Sequence, residues 1–223
     1  MNMVLIKQKT GRDAPLVVLR DYLSRIGQIV SDSNANLIIG PEFSLSYFSN
    51  PLTKDSFEKE ALKLVPNLKR DQLIIPGTGI FLDYGKKQMT NSAPIISREG
   101  IFYIDKKTSS DEDSGAEKYG YEYVRGKKQK SLFKFSNMKL ALDICRDYGT
   151  MQLGNFGVID RDLHLILASN HGVVDTGPAI VVDKGIVALV DGFGPQVHAY
   201  KMEGDVFRES VGKNTSDYLL IRF

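Results

Sequence analysis

The sequence predicts one mixed, layered α/β (α+β) domain, and three observations carry that expectation. Buried-strand runs recur along the chain, they outnumber the helix-like segments, and those segments fall between buried strands, which is the pattern of layers and not of a pure sandwich. With 223 residues and 42% hydrophobic content, the chain has enough apolar surface for a sizeable core in a single domain covering residues 1–223.

In chain order, residues 4–8 read as a first strand. Asp13 is placed to cap a helix with Pro15 in its first turn, and Leu19, Tyr22, Leu23, Ile26, Ile29 and Val30 then recur at helical spacing. Leu37-Ile38-Ile39 is a buried strand that stops at Gly40-Pro41-Glu42. A second helix is expected over 56–64, ended by Pro66, and Leu73-Ile74-Ile75 is a further buried strand punctuated by Pro76-Gly77. Strands follow at 79–84, 93–97, 101–105, 132–135 and 139–144, with Arg98-Glu99-Gly100 as a turn in which glycine supplies the positive φ. Residues 163–168, 179–182, 186–190, 197–201 and 218–221 complete the strands. The stretch 108–120, dense in Ser, Asp, Glu and Gly, reads as a surface loop or as a loop bordering a site.

Composition excludes several classes. A formal charge of +2 gives no reason to expect a nucleic-acid or membrane partner, and the cluster Arg125, Lys127, Lys128 and Lys130 holds no interleaved aromatic and reads as an exposed strand lead-in. No apolar run is long enough for a membrane-spanning helix, and the first residues lack the pattern of a signal peptide. A single cysteine cannot form an internal disulfide, which fits a reducing, cytoplasmic setting. The three histidines show no metal-ligand spacing, and Asp111-Glu112-Asp113 lacks the rest of a calcium loop and reads as solvated. No Gly-x-Ser-x-Gly elbow or phosphate loop is present, and Gly77-Thr78-Gly79 is followed by Leu82 where a dinucleotide fingerprint needs its third glycine.

What remains is a set of reactive residues at the ends of apolar runs. Glu42 ends 37–39, Lys106 ends 101–104, and Cys145 ends 140–144 with Arg146-Asp147 behind it. Strand ends in layered α/β folds are where side chains emerge from a rigid scaffold into a site. Carboxylate, ammonium and thiol form a complete set for covalent acyl transfer: base, oxyanion stabiliser and nucleophile. Lys107 competes with Lys106, since pleat alternation admits only one of two neighbours to a site; Ile104 two positions earlier favours Lys106.

On these residues the sequence resembles the nitrilase superfamily of carbon–nitrogen hydrolases. The similar motifs are Leu37-Ile-Ile-Gly-Pro-Glu42-Phe-Ser-Leu-Ser-Tyr47, Ile104-Asp-Lys106-Lys-Thr108 and Ile144-Cys145-Arg-Asp147, in the family's order. Leu73-Ile-Ile-Pro-Gly-Thr-Gly79 and Asn91-Ser-Ala93 stand where the family has a strand followed by an Asn-Ser hairpin. The resemblance implies a four-layer α-β-β-α sandwich, a Glu42-Lys106-Cys145 triad, hydrolysis of a small amide in preference to a nitrile through a thioester, no cofactor or metal, and a homodimer. It also implies an acidic residue beyond the lysine, for which Glu117 is the candidate and Glu122 the alternative. Lys106 and the backbone N–H of Arg146 would bind the oxyanion, and the Arg146 side chain suggests an anionic group on the substrate. The chain departs from the family in the residues around Arg146-Asp147-Tyr148-Gly149 and in a shortened C-terminal part after Asn170. An acyltransferase on the same residues, or an inactive binding relative, are the competing expectations.

Overall fold

In the computed structural model, which describes residues 1–10, 18–108, 112–126, 132–145, 147, 161–169, 181, 183–194, 196–204, 206–210 and 212–222, the first half of the chain builds one sheet with its helices. Strands β1 (Asn2–Ile6), β2 (Leu37–Ile39) and β3 (Leu73–Ile75) run parallel. They are joined by α1 (Leu19–Ser33) and α2 (Lys54–Ala61), the crossover connections that parallel neighbours require. α1 buries Tyr22, Leu23, Ile26, Ile29 and Val30, the stripe legible in its spacing, and ends at Asn34 in the left-handed conformation (φ 48°). α2 begins two residues before the expected start because Thr53 and Ser56 form a reciprocal capping box. Pro66 sits inside a 3-10 turn (Val65–Asn67) after the helix has ended.

A meander follows: β4 (Gly79–Asp83), β5 (Gln88–Ser97) and β6 (Gly100–Asp105) pair antiparallel. β5 starts five residues earlier than expected, since Gln88–Ser92 pair with β4 before the apolar run begins. Gly100 takes φ 133° at the turn into β6, as its position in the sequence suggests. The predicted loop 108–120 contains a short helix, α3 (Glu112–Glu117), and β7 (Glu122–Tyr123) then adds to β5.

The second sheet holds β8 (Leu132–Phe135), β9 (Met138–Ile144), β10 (Leu163–Ala168), β11 (Ile186–Asp191), β12 (Gln196–Glu203) and β13 (Val206–Glu209), in the spatial order 13-12-11-10-9-8. β9, β10 and β11 are parallel at its centre. The chain then returns to the first sheet through β14 (Lys213–Asn214) and β15 (Tyr218–Arg222), which pairs antiparallel with β1. β7, β13 and β14 had no apolar run to announce them. The predicted cap Asp13 and most of the predicted strand 179–182 lie outside the described residues; Val181 is buried and not in a strand.

Period-two alternation sorts the strand residues between layers. Leu37 and Ile39 of β2, Leu140, Leu142 and Ile144 of β9, and Leu163, Leu165 and Leu167 of β10 face the core between the sheets. Val4, Ile38 and Ile74 face the other way, under Ile26 of α1 and Phe57 of α2. Both sheets therefore present their strand ends to one region, and the fold is the expected mixed α/β arrangement with two stacked sheets. Among the described residues no helix is long and apolar enough to cross a membrane.

The exits of β2 and β3 are pressed together at Gly40 and Gly77. Gly77 has φ +107°, and a Cβ there would lie 2.0 Å from Ser44 Oγ and 2.1 Å from the Pro41 carbonyl oxygen. Gly77→Ala combines backbone strain with a clash against main chain. It is expected to destabilise the protein by about 3 kcal/mol or more in urea unfolding; a loss below about 1 kcal/mol would contradict this close packing.

Candidate active site

Glu42 leaves β2 through Gly40-Pro41 and is 1% exposed. Its backbone N–H donates to Ala168 O at 3.3 Å, across to the second sheet. The turn behind it is pinned to the exit of β3. Phe43, held at φ 58°, donates its N–H to Thr78 Oγ1 at 3.0 Å. Ser44 Oγ donates to Pro76 O at 2.6 Å, and Leu45 N–H to Thr78 O at 3.0 Å. Cys145 is the first residue past β9. Its N–H donates to Leu167 O at 2.7 Å, and it adopts a left-handed φ of 49°, a strained conformation for a side chain with a Cβ. Adjacent carbonyls of β10 thus hold the backbones of Glu42 and Cys145.

Lys106 follows β6 and is 1% exposed, although it is a lysine. Its N–H donates to Asn91 O at 2.8 Å, and its Nζ donates to Glu42 Oε1 at 2.9 Å and to Glu112 Oε1. Ile104 packs against the inter-sheet core and Lys106 follows it inward, while the Lys107 backbone N–H donates to both carboxylate oxygens of Asp147 at 3.1 and 3.0 Å. Asp147 also accepts from Thr108 N–H at 2.8 Å and from Thr108 Oγ1 at 2.7 Å. This carboxylate ties the chain after Lys106 to the chain after Cys145.

The acidic partner of Lys106 is Glu112, the first residue of α3, buried at 3% exposure and not solvated as its neighbours in sequence suggested. Glu117 lies five residues on, roughly 140° around the helix from Glu112, and is exposed. The alternative, Glu122, is exposed on β7 and accepts from Gln88 Nε2 at 3.0 Å. The signal for Glu112 was tertiary. Ala116 of α3 packs with Phe48, Ile80, Leu82, Met89 and Tyr123, and Phe43, Tyr47 and Tyr121 lie against that cluster. The aromatic turn after Glu42 is therefore the wall on which the Glu112 helix rests. Asn91, which the sequence marks only as part of the Asn-Ser hairpin, also reaches the site: its Nδ2 donates to Glu42 Oε1 at 2.9 Å. Arg146 lies outside the described residues.

Burial dominates the electrostatics. It pushes the Glu42 carboxyl above its ordinary range, against the opposing pull of the Lys106 ammonium. Burial works against the Lys106 charge as well, yet the Glu42 and Glu112 carboxylates outweigh it and hold the ammonium more firmly protonated than usual. The Cys145 thiol is pushed up to about 12, first by burial and then by the Glu42 charge. The resting thiol is consequently neutral. A carboxylate whose charge acts on a thiol and which is paired with an ammonium can take the proton from sulfur as sulfur attacks, and the ammonium balances the charge that develops. Lys106 has three N–H bonds, and two are used by Glu42 and Glu112, which leaves one for an incoming oxygen. Among the described residues no group of three His, Cys, Asp or Glu side chains is placed to hold a metal ion.

Neither a protein-family model nor a curated protein sequence matches this chain. Solved structures do. An amidase from Nesterenkonia sp., seen with acrylamide added to its active-site cysteine, superposes with a TM-score of 0.65 at 16% identity, covering 100% of this chain and 93% of its own. A CN-hydrolase superfamily protein from Xanthomonas campestris, with an arsenic adduct in its active site, gives 0.62 at 15% identity over 98% of this chain and 88% of its own. The glutamine-dependent NAD+ synthetase of Acinetobacter baumannii gives 0.65 at 14% identity over 98% of this chain; there the chain spans 44% of the larger protein. These neighbours include amidases of the nitrilase superfamily, and the chain has their fold.

The thiol environment makes a direct prediction. Alkylation of Cys145 followed by intact mass should show an apparent thiol pKa near 12. Glu42→Gln should lower it, because the neutral amide removes the negative charge that holds the proton on sulfur. An unchanged or higher value in Glu42→Gln would mean that the two groups are not in contact.

Proposed function

We propose that this chain hydrolyses the carbon–nitrogen bond of a small-molecule amide through a thioester on Cys145. The observation that carries the reading is the convergence of Glu42, Lys106 and Cys145 at three strand ends, with Glu112 closing the charge set. The shared fold with amidases whose cysteine reacts with an amide-bearing compound supports the same reading.

The steps follow from the groups in hand. Glu42 accepts the Sγ proton as sulfur adds to the amide carbon, and the carbonyl oxygen becomes an oxyanion against the remaining N–H of Lys106. Protonated Glu42 then passes its proton to the departing amine as the carbon–nitrogen bond breaks, leaving the acyl group on sulfur. Water attacks the thioester, Glu42 takes its proton, and collapse of the second tetrahedral adduct returns the proton to sulfur and releases the acid. Glu112 keeps Lys106 charged and aimed throughout. Because the thiol is not ionised at rest, nucleophile activation depends on Glu42 in every turnover.

Short aliphatic amides incubated with the purified protein should release ammonia. Cys145→Ala, Lys106→Met and Glu42→Gln should each lower the rate on the order of 10³-fold or more, since the groups act as a unit. Ammonia release that survives in Cys145→Ala would overturn the mechanism. Added hydroxylamine tests the acyl-transfer alternative, because a dominant hydroxamate product would make the chain an acyltransferase.

A further inference from the structure

Asn91 is a fully buried amide on β5, on the same face as Ala93 and Ile95 of the inter-sheet core. An uncharged polar side chain at such a position needs a partner that justifies its desolvation. Its partner is the base itself. Nδ2 donates to Glu42 Oε1 at 2.9 Å, the oxygen that also accepts from Lys106 Nζ at 2.9 Å. The Asn91 backbone carbonyl meanwhile accepts the Lys106 N–H at 2.8 Å, so one residue holds both charged groups.

A carboxylate oxygen offers two lone-pair directions, and both directions of Oε1 are occupied by these donors. The amide orientation is set by the same contact, since turning it over would aim Oδ1 at the carboxylate. Oδ1 itself is buried without a hydrogen-bond partner among the described residues, so the side chain's polar contact is directed at Glu42 and not into a wider network. We infer that Asn91 is a positioning residue that divides the work of the Glu42 carboxylate: Oε1 is anchored, and Oε2 carries the proton between Sγ and the leaving nitrogen. The inference rests on the reading of Glu42 as the base. It adds no bond-making step: the proton leaves sulfur for Oε2 and leaves Oε2 for the amine.

The anchoring hydrogen bond also favours the ionised carboxylate, so its removal makes Glu42 easier to protonate. The test is the rate of Cys145 alkylation by iodoacetamide from about pH 5 to about pH 9, read by intact mass in wild type, Glu42→Gln, Asn91→Leu and Asn91→Asp. The wild-type profile should have an acid limb that Glu42→Gln lacks. Asn91→Leu should move that limb up by about one pH unit, the effect of losing one hydrogen bond to a charged group. Asn91→Asp, which keeps the shape of the side chain should Asn91→Leu fail to fold, should move it further, because two facing carboxyls retain a proton between them. A limb that depends on Glu42 but stays in place in both Asn91 variants would overturn the positioning role and leave the base assignment standing. A profile indifferent to Glu42→Gln would overturn the base assignment, and the role of Asn91 with it.

Discussion

An ammonium ion sealed between two sheets is the constraint that the rest of this molecule answers to. Removing Lys106 and its carboxylates from water costs several kcal/mol per ion, and the arrangement persists only because each charge finds a partner of opposite sign at hydrogen-bond distance. Two carboxylates against one ammonium leave the cluster with an excess of negative charge. Burial first, and then the Glu42 charge, keep the neighbouring thiol neutral. The contacts around Glu42 are correspondingly dense.

The scaffold meets this demand with main chain. β10 lies in the middle of the second sheet, paired on both sides, and its last two carbonyls hold the backbone of Cys145 and reach across to that of Glu42. The residues held there are strained: Phe43 and Cys145 both occupy the left-handed region without being glycine. Strain of this order is sustained where the surroundings over-determine a conformation. Here they do so through the hydrogen bonds of residues 43–45 to the β3 exit and through the Asp147 carboxylate, which fastens the cysteine loop to the residues after Lys106.

The same turn couples the two halves of the charge cluster. Phe43, Tyr47 and Phe48 stack edge-on against one another just after Glu42, with ring centroids 5.0 and 5.3 Å apart in the closer pairs. α3 rests on this surface through Ala116 and delivers Glu112 to Lys106. Glu42, Lys106 and Glu112 are thus placed by one apolar packing problem. Asn91 is a buried polar residue beside Ala93 and Ile95 of that core, and it contacts Glu42 with its side chain and Lys106 with its backbone.

Much of this was legible in the sequence. Apolar runs of three to seven residues with period-two alternation marked the central strands, and Glu42, Lys106 and Cys145 stood out because a reactive residue directly after such a run must emerge at a strand end. The preference for Lys106 over Lys107 came from the pleat, a local property; in the structure Lys106 Nζ meets Glu42, and the Lys107 backbone N–H meets Asp147. Glu112 was not legible. Its neighbours Asp111, Asp113 and Ser114 give it the composition of a solvated loop, and only the aromatic cluster, assembled from segments as distant as Phe48 and Tyr123, turns that stretch into a helix whose first residue is buried. The hydrogen bond from Asn91 to Glu42 was hidden for the same reason, since forty-nine residues separate its ends. The sequence by itself determined the central strands and that Glu42, Lys106 and Cys145 stand near their ends, because both follow from the apolar pattern along the chain. Which carboxylates meet the lysine, which oxygen of Glu42 accepts from Asn91, and how firmly the thiol keeps its proton were decided by the tertiary structure, because burial and charge pairing act between residues that only folding brings together.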